Sequence, residues 1–243
     1  MAVADEHPGA LSGVAPSRPR RPDQIPGGHH GLSPEEVASS QRARILDAMR
    51  AAICEHGYAD ASVAEVIKRA GVSRKTFYAQ FADKEACFLE VYEEHMGRLQ
   101  ALILDAFDAQ DEWVASLRAG LTALLNALAY DPAMARCCFV DVLAAGPKAA
   151  ARRNEAMREL ERILELGGPA REASADGTAL PRALGMSMVG GLGEVLYQEI
   201  VADRTAQLPR LLPDLMYALV LPFQGQEVAK RELSRGARRA RAQ

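Results

Sequence analysis

The segment from Ser62 to Phe81 constrains this chain more than any other, because it holds two helix starts with almost nothing between them. Ser62-Val63-Ala64-Glu65 has the form of a capping box, in which a serine and an acid three residues on satisfy free N–H groups at a helix start. The helix it opens carries Val63, Val66, Ile67 and Ala70 on one face and stops at Gly71. Only Gly71 and Val72 precede a second N-cap, Ser73, and the next helix sets Phe77 and Phe81 four residues apart on a common side. Two short helices across a glycine turn predict a helix-turn-helix, which needs a third helix to cover its apolar faces.

That helix is available upstream. Ser33-Pro34-Glu35-Glu36 reads as a start, with a capping serine, proline at the first helical position and acids where the dipole favours them. Ile45, Met49, Ala52, Ile53 and His56 then recur at helical spacing, and Gly57 stands where a left-handed C-terminal cap is expected. Downstream, Asp83 caps a longer helix with the stripe Phe88, Val91, Tyr92, Leu99, Leu102, Ile103 and Phe107, a connector into a second domain. Further helices are expected near residues 111–129, 132–144, 148–166, 180–202 and 208–233, with a Gly, Ala and Ser-rich loop over 167–178. The fold class is all-α, divided as a disordered tail (1–32), a helix-turn-helix domain (33–82), a helical effector-binding and dimerisation domain (83–233) and a basic flexible tail (234–243). Residues 1–32 are rich in Pro, Gly and Arg and nearly free of large apolar side chains, so they cannot offset the entropy of ordering.

Half of the 243 residues are hydrophobic (49%), enough for a real core, and β-branched residues never alternate as strands require. The net charge of −3 confines any nucleic-acid surface to a local patch. Cys54, Cys87, Cys137 and Cys138 lack zinc-site or disulfide-framework spacing and sit in apolar helical surroundings, which points to a reduced, cytoplasmic setting with no metal. The Cys137-Cys138 pair reads as packing, with a redox or metal switch as the alternative. No apolar run reaches the length of a membrane span, and the N-terminus lacks an apolar signal core.

The local patch is Ser73-Arg74-Lys75-Thr76-Phe77-Tyr78. A cation in the first helical turn is disfavoured by the dipole by about 0.3–1 kcal/mol. Two side by side therefore suggest that this end faces an anion, and a duplex backbone is the obvious one. Arg74 and Lys75 can donate to guanine O6 and N7, and Thr76 offers a hydroxyl and a methyl. Tyr78 can reach a phosphate, while Ser62 and Lys84 mark helix N-termini that favour phosphate. The competing reading is an ordinary solvated face with Tyr78 half-packed.

Ala70-Gly71-Val72-Ser73, then Thr76-Phe77-Tyr78, Phe81 and Lys84-Glu85, preceded by Gly57-Tyr58, closely resemble the TetR family of bacterial regulators over roughly residues 40–92. The resemblance implies a three-helix DNA-binding domain, a C-terminal domain that binds an effector and dimerises, and repression relieved by ligand. It implies DNA contacts at Ser62, Ser73, Arg74, Lys75, Thr76, Tyr78 and Lys84. Lys75 and Ile67 depart from the family's usual small residue and alanine.

Gly190, Gly191 and Gly193 each cost a helix about 1 kcal/mol relative to alanine. A dimer interface at Gly190, Gly193 and Leu196 would compensate, and a kink beside a pocket is the alternative. An apolar small-molecule effector site is expected among Trp113, Met134, Phe139, Met157, Met186, Met188 and Tyr197, although such residues on helical faces are more often plain core. The partners expected are double-stranded operator DNA, a second copy of the chain and that effector, with no membrane and no cofactor. An enzyme is disfavoured, since HExxH, GxSxG, P-loop and Rossmann patterns are all absent from the sequence.

Overall fold

The computed structural model describes residues 33–166, 181 and 183–240, and among them the structure is helical with no strand. The expected tail over 1–32 and loop over 167–178 lie outside the described residues. Helix α1 spans Pro34–Asp60, α2 Val63–Ala70, α3 Arg74–Gln80 and α4 Lys84–Asp108. Each begins as its sequence suggests: Ser33, Ser62, Ser73 and Asp83 accept from the backbone N–H three residues on. The reciprocal half of the capping box forms only at Ser33. Glu65 instead turns to Arg69 and His56.

Ile45, Met49, Ala52 and Ile53 of α1, Val66 and Ala70 of α2 and Phe77 and Phe81 of α3 close one core with Phe88 of α4. Gly71 takes a left-handed conformation at φ 64° and ψ 37° and ends α2, as the tight turn requires. Gly57 differs from expectation. Its φ of 76° comes with ψ of 167°, so it kinks α1 rather than capping it, and the helix resumes to Asp60. His56, expected on the apolar stripe, is exposed beside Glu55 and Glu65.

Behind this trio, α5 (Trp113–Tyr130) packs along α4. Next comes α6, built from Pro132–Arg136, a wide π turn at Cys137–Asp141 and Val142–Ala144. Helix α7 (Pro147–Leu166), α8 (Leu184–Val201), a 3₁₀ stretch (Thr205–Leu211) and α9 (Leu212–Ala240) complete the body. Helix α9 runs on through the basic segment expected to form a tail from residue 234, with a kink at Gly225 (φ 76°). Its buried Glu232 pairs with Arg118 of α5 at 2.6 Å, and Trp113 meets Phe223 edge-on at 5.1 Å between ring centres. Cys87, Cys137 and Cys138 are buried, but Cys54 is exposed on α1, contrary to its expected apolar setting.

Candidate DNA interface and effector cavity

Helix α3 is held at both ends. The Ser73 hydroxyl accepts from Thr76 N–H at 3.0 Å and shares a 2.8 Å hydrogen bond with the Thr76 hydroxyl. At the other end Arg42 donates to the Gln80 carbonyl at 3.2 Å, lies 4.5 Å above the Phe81 ring and pairs with Glu90. Arg44 likewise donates to the last carbonyl of α2, on Ala70, at 2.9 Å. These arginines fix the angle of the turn, because they satisfy carbonyls that a helix end leaves open.

The remaining cations of α3 behave differently. Arg74 and Lys75 are exposed, and neither forms an ion pair with any described residue. Arg74 lies 5.7 Å from the centre of the Tyr78 ring, which is 46% exposed and rests edge-on against buried Phe77. Two exposed cations and a phenol thus project from one short helix whose other face is locked into the core.

Ser62 is exposed and accepts from Glu65 N–H at 3.2 Å. Lys84 is engaged within the chain. Its ammonium donates to the carbonyls of Tyr58 and Ala61 at 2.8 and 2.9 Å and lies 4.0 Å from the Tyr58 ring centre. Burial lowers its pKa, with Asp60 opposing, and burial pushes the Tyr58 phenol up to about 12, helped by Glu85 and Asp83. The structure therefore gives Lys84 the work of closing the C-terminal end of α1, a role that its position in sequence did not reveal.

Two carboxylates join this trio of helices to the body. Asp141, buried in the π turn, accepts from Tyr58 N–H at 2.9 Å, just past the Gly57 kink. Its second oxygen is buried without a hydrogen bond, 3.9 Å from Arg136 Nε; burial raises its pKa against the opposing effects of Tyr58 N–H and Arg136. In the other direction, Glu85 in the first turn of α4 accepts from the N–H groups of Lys148 and Ala149 at 2.8 and 3.2 Å, capping α7 from outside. These contacts tie α6 and α7 directly to the base of the helix-turn-helix.

The body contains an apolar cavity of about 70 Å3 between α4, α5, α7, α8 and α9, walled by Ile103, Leu117, Leu121, Leu160, Val189 and Leu219 among others. None of the residues expected to line an effector site is part of its wall. Trp113, Met134 and Phe139 are buried in the general core, Met157 and Tyr197 are half-buried and Met186 is 64% exposed. The sequence pattern showed that these side chains are apolar or aromatic, but not which of them a neighbouring helix would cover. A larger groove of about 360 Å3 between α1, α4 and α6 includes Arg50, whose charge is matched by Asp47 and Glu94. Glu55, His56 and Glu65 come close enough to share an ion, yet Arg69 already pairs with both glutamates.

The interface expected at Gly190, Gly193 and Leu196 is divided by the structure. Leu196 is fully buried within the chain, and Gly193 faces α7, with Arg153 Nη2 and Met157 Sδ each 3.9 Å from where a Cβ would stand. Both are therefore part of the chain's own interior, unavailable to a second copy. Gly190 and Gly191 have nothing within 4 Å of that position and are exposed; Met186, Gly190 and Val201 share one side of α8, and Gly191 and Val195 the other edge of its exposed arc.

Residues 45–91 match the family described as bacterial regulatory proteins, tetR family. The transcriptional activator FasR of Mycolicibacterium smegmatis is 25% identical over 142 residues, 58% of this chain and 65% of FasR, so the matched stretch spans less than two thirds of that relative. Among solved structures, the fatty acid degradation regulator FadR from Bacillus halodurans superposes with a TM-score of 0.61 at 24% identity, over 74% of this chain and 94% of FadR. FadR from Bacillus subtilis, crystallised with stearoyl-CoA, gives 0.60 at 22%, over 73% and 97%. These relatives are transcription regulators rather than enzymes. Residues 45–91 thus match the helix-turn-helix of the tetR family, and the helices behind them share the fold of these solved relatives.

Proposed function

We propose that this chain is a sequence-specific DNA-binding transcription regulator, a homodimer that holds a palindromic operator and lets go when an apolar effector enters the body. The observation that carries this reading is the contrast among the basic residues around α3. Arg42, Arg44 and Lys84 are engaged with carbonyls, while Arg74 and Lys75 form no ion pair with any described residue and Arg74 has only the Tyr78 ring beside it. Arg74, Lys75 and Thr76 read base edges; Ser62, Ser73 and Tyr78 set the helix on the phosphates. A single short helix covers a few base pairs, so two copies with recognition helices about 34–36 Å apart are needed for an operator. The exposed side of α8 at Met186, Gly190 and Val201, with exposed Leu221 of α9, supports a second copy docking there.

The all-apolar cavity supports an effector with an alkyl portion, in keeping with the stearoyl-CoA bound by the FadR relative from Bacillus subtilis. Filling it spreads α4, α5 and α7, and the Glu85 and Asp141 links convey that movement to the DNA-binding helices. The test is selection of bound duplexes from a random pool, repeated with Arg74→Ala and Lys75→Ala. A palindromic consensus that each substitution relaxes at particular positions, at a cost of about 1–3 kcal/mol, supports the reading. Salt-sensitive binding without enrichment would mean a general DNA binder, and no binding would remove the DNA function.

A further inference from the structure

Helices α4 and α7 lie side by side in parallel register. Arg152 Nε donates to Glu93 at 2.8 Å and Gln100 Nε2 to Glu159 at 2.6 Å, each pair separated by 59 positions. At the early end of this register stand two polar groups without a hydrogen-bond or ion-pair partner among the described residues. The Tyr92 hydroxyl is buried without a hydrogen-bond partner, in a side chain only 2% exposed. Tyr92 also forms part of the wall of a cleft of about 180 Å3 between the two helices. Beside it, half-buried Arg153 has no carboxylate partner among the described residues, and its guanidinium and that of Arg152 act on the phenol electrostatically. Arg152 differs, since Glu93 and Glu155 both hold it.

Arg153 reaches the bare backbone of Gly193, where Met157 also arrives. Continuing along the same face of α7, Leu160 and Leu164 line the apolar cavity, opposite Val189 and Leu192 of α8. Arg153 to Leu164 is about 16 Å along the helix. The body thus presents, in one line, a cation and a buried hydroxyl, then a flexible thioether, then a wholly apolar cavity. A buried hydroxyl without a partner is costly, and packing alone gives the Tyr92 phenol none among the described residues.

We propose that Arg153 and Tyr92 form the head-group site for an anionic amphiphile, a carboxylate whose alkyl chain passes Met157 into the cavity. The guanidinium takes the carboxylate in a charge-assisted, two-toothed hydrogen bond and the phenol donates to the same oxygens. Met157 adjusts to admit the chain, as an unbranched thioether can. This assignment rests on the cavity being the effector site.

The experiment is calorimetric titration of the full chain with dodecanoate, dodecanol and dodecanoyl-CoA. The wild type is expected to bind dodecanoate about ten- to a hundredfold tighter than dodecanol, the ratio that a charge-assisted hydrogen bond supplies. Arg153→Met should erase that ratio and leave dodecanol binding unchanged, and Tyr92→Phe should reduce it by about tenfold or less. Leu121→Trp, which fills the cavity, should weaken acid and alcohol alike. Equal binding of acid and alcohol by the wild type overturns the head-group site while leaving the cavity reading intact. Tight binding of dodecanoyl-CoA alone, indifferent to Arg153→Met, overturns it in favour of a thioester. Binding of none of the three overturns the site and the cavity reading together.

Discussion

Replacing Lys84 by methionine separates two roles that its place in the sequence leaves confounded. The substitution keeps most of the side-chain volume and removes the ammonium, and with it hydrogen bonds of 2.8 and 2.9 Å to the carbonyls of Tyr58 and Ala61. It also removes a cation 4.0 Å from the Tyr58 ring centre. A hydrogen bond from a charged donor contributes about 1.5–3 kcal/mol when buried. Lys84 is only half-buried, so about 1 kcal/mol each is the better figure. The ring contact adds about 0.5–1 kcal/mol. Against this, methionine escapes the desolvation that lowers the lysine's pKa. The net loss should be about 2 kcal/mol, and at about 2–4 °C per kcal/mol for a chain of this size the melting temperature should fall by about 4–8 °C. Thermal unfolding followed by circular dichroism measures this directly. DNA affinity, compared at several salt concentrations below the melting range, should keep its salt slope, because no phosphate contact has been deleted. An unchanged melting temperature together with a salt slope smaller by about one would refute the structural assignment and return Lys84 to the phosphate backbone.

The Asp141 carboxyl has its pKa raised by burial, so the native state holds this proton more tightly than the unfolded chain does. Its ionisation therefore costs stability as pH rises from the ordinary value of 3.8 to the raised one. Asp141→Asn keeps an acceptor for Tyr58 N–H and should be at least as stable as wild type at pH 7, with an advantage that shrinks as pH falls through that window. Urea unfolding of both proteins across the range would contradict this if asparagine were equally costly at every pH. Gly146→Ala would put a methyl 2.7 Å from Glu85 Oε1 at a backbone φ of +125°, costing about 2–3 kcal/mol through strain and loss of the α7 cap. A urea midpoint unchanged from wild type would dispose of the Glu85 cap. In the native protein a thiol reagent should modify Cys54 quickly, whereas Cys87, whose pKa burial pushes up to about 12, and buried Cys137 and Cys138 should react only on unfolding. Rapid titration of more than one thiol would show that the body opens far more readily than its packing implies.

What the sequence disclosed is what local chemistry dictates. The caps at Ser33, Ser62, Ser73 and Asp83, the glycine turn and the Phe77–Phe81 face each depend on residues within one or two helical turns, and all of them stand as read. The body was legible as helices but not as a site. Trp113 and Met134 are as apolar as Leu121 and Val189, and only the packing of α5 against α8 and α9 decides which of them border a cavity. Leu196 looked like an interface residue because apolar periodicity does not distinguish a partner helix in the same chain from one in another copy. Arg153 and Tyr92 carried no signal at all. An arginine in an Arg-rich helix and a tyrosine in an apolar stripe become conspicuous only once packing leaves both without a hydrogen-bond or ion-pair partner among the described residues.

The two carboxylates that cross between the helix-turn-helix and the body bear on how such a protein can be rebuilt. Glu85 and Lys84 both follow the short α3, yet one caps a helix of the body and the other closes α1. A chimera joined after residue 82 would take a foreign lysine or none to the Tyr58 and Ala61 carbonyls, and a foreign π turn to the Tyr58 N–H. Recognition could be transplanted with less disturbance by exchanging only the solvent-facing side chains at 74, 75 and 78, since none of them takes part in an ion pair with the described remainder of the chain. The solvent-facing chemistry of α3 would change while Glu85 and Asp141 kept their native partners.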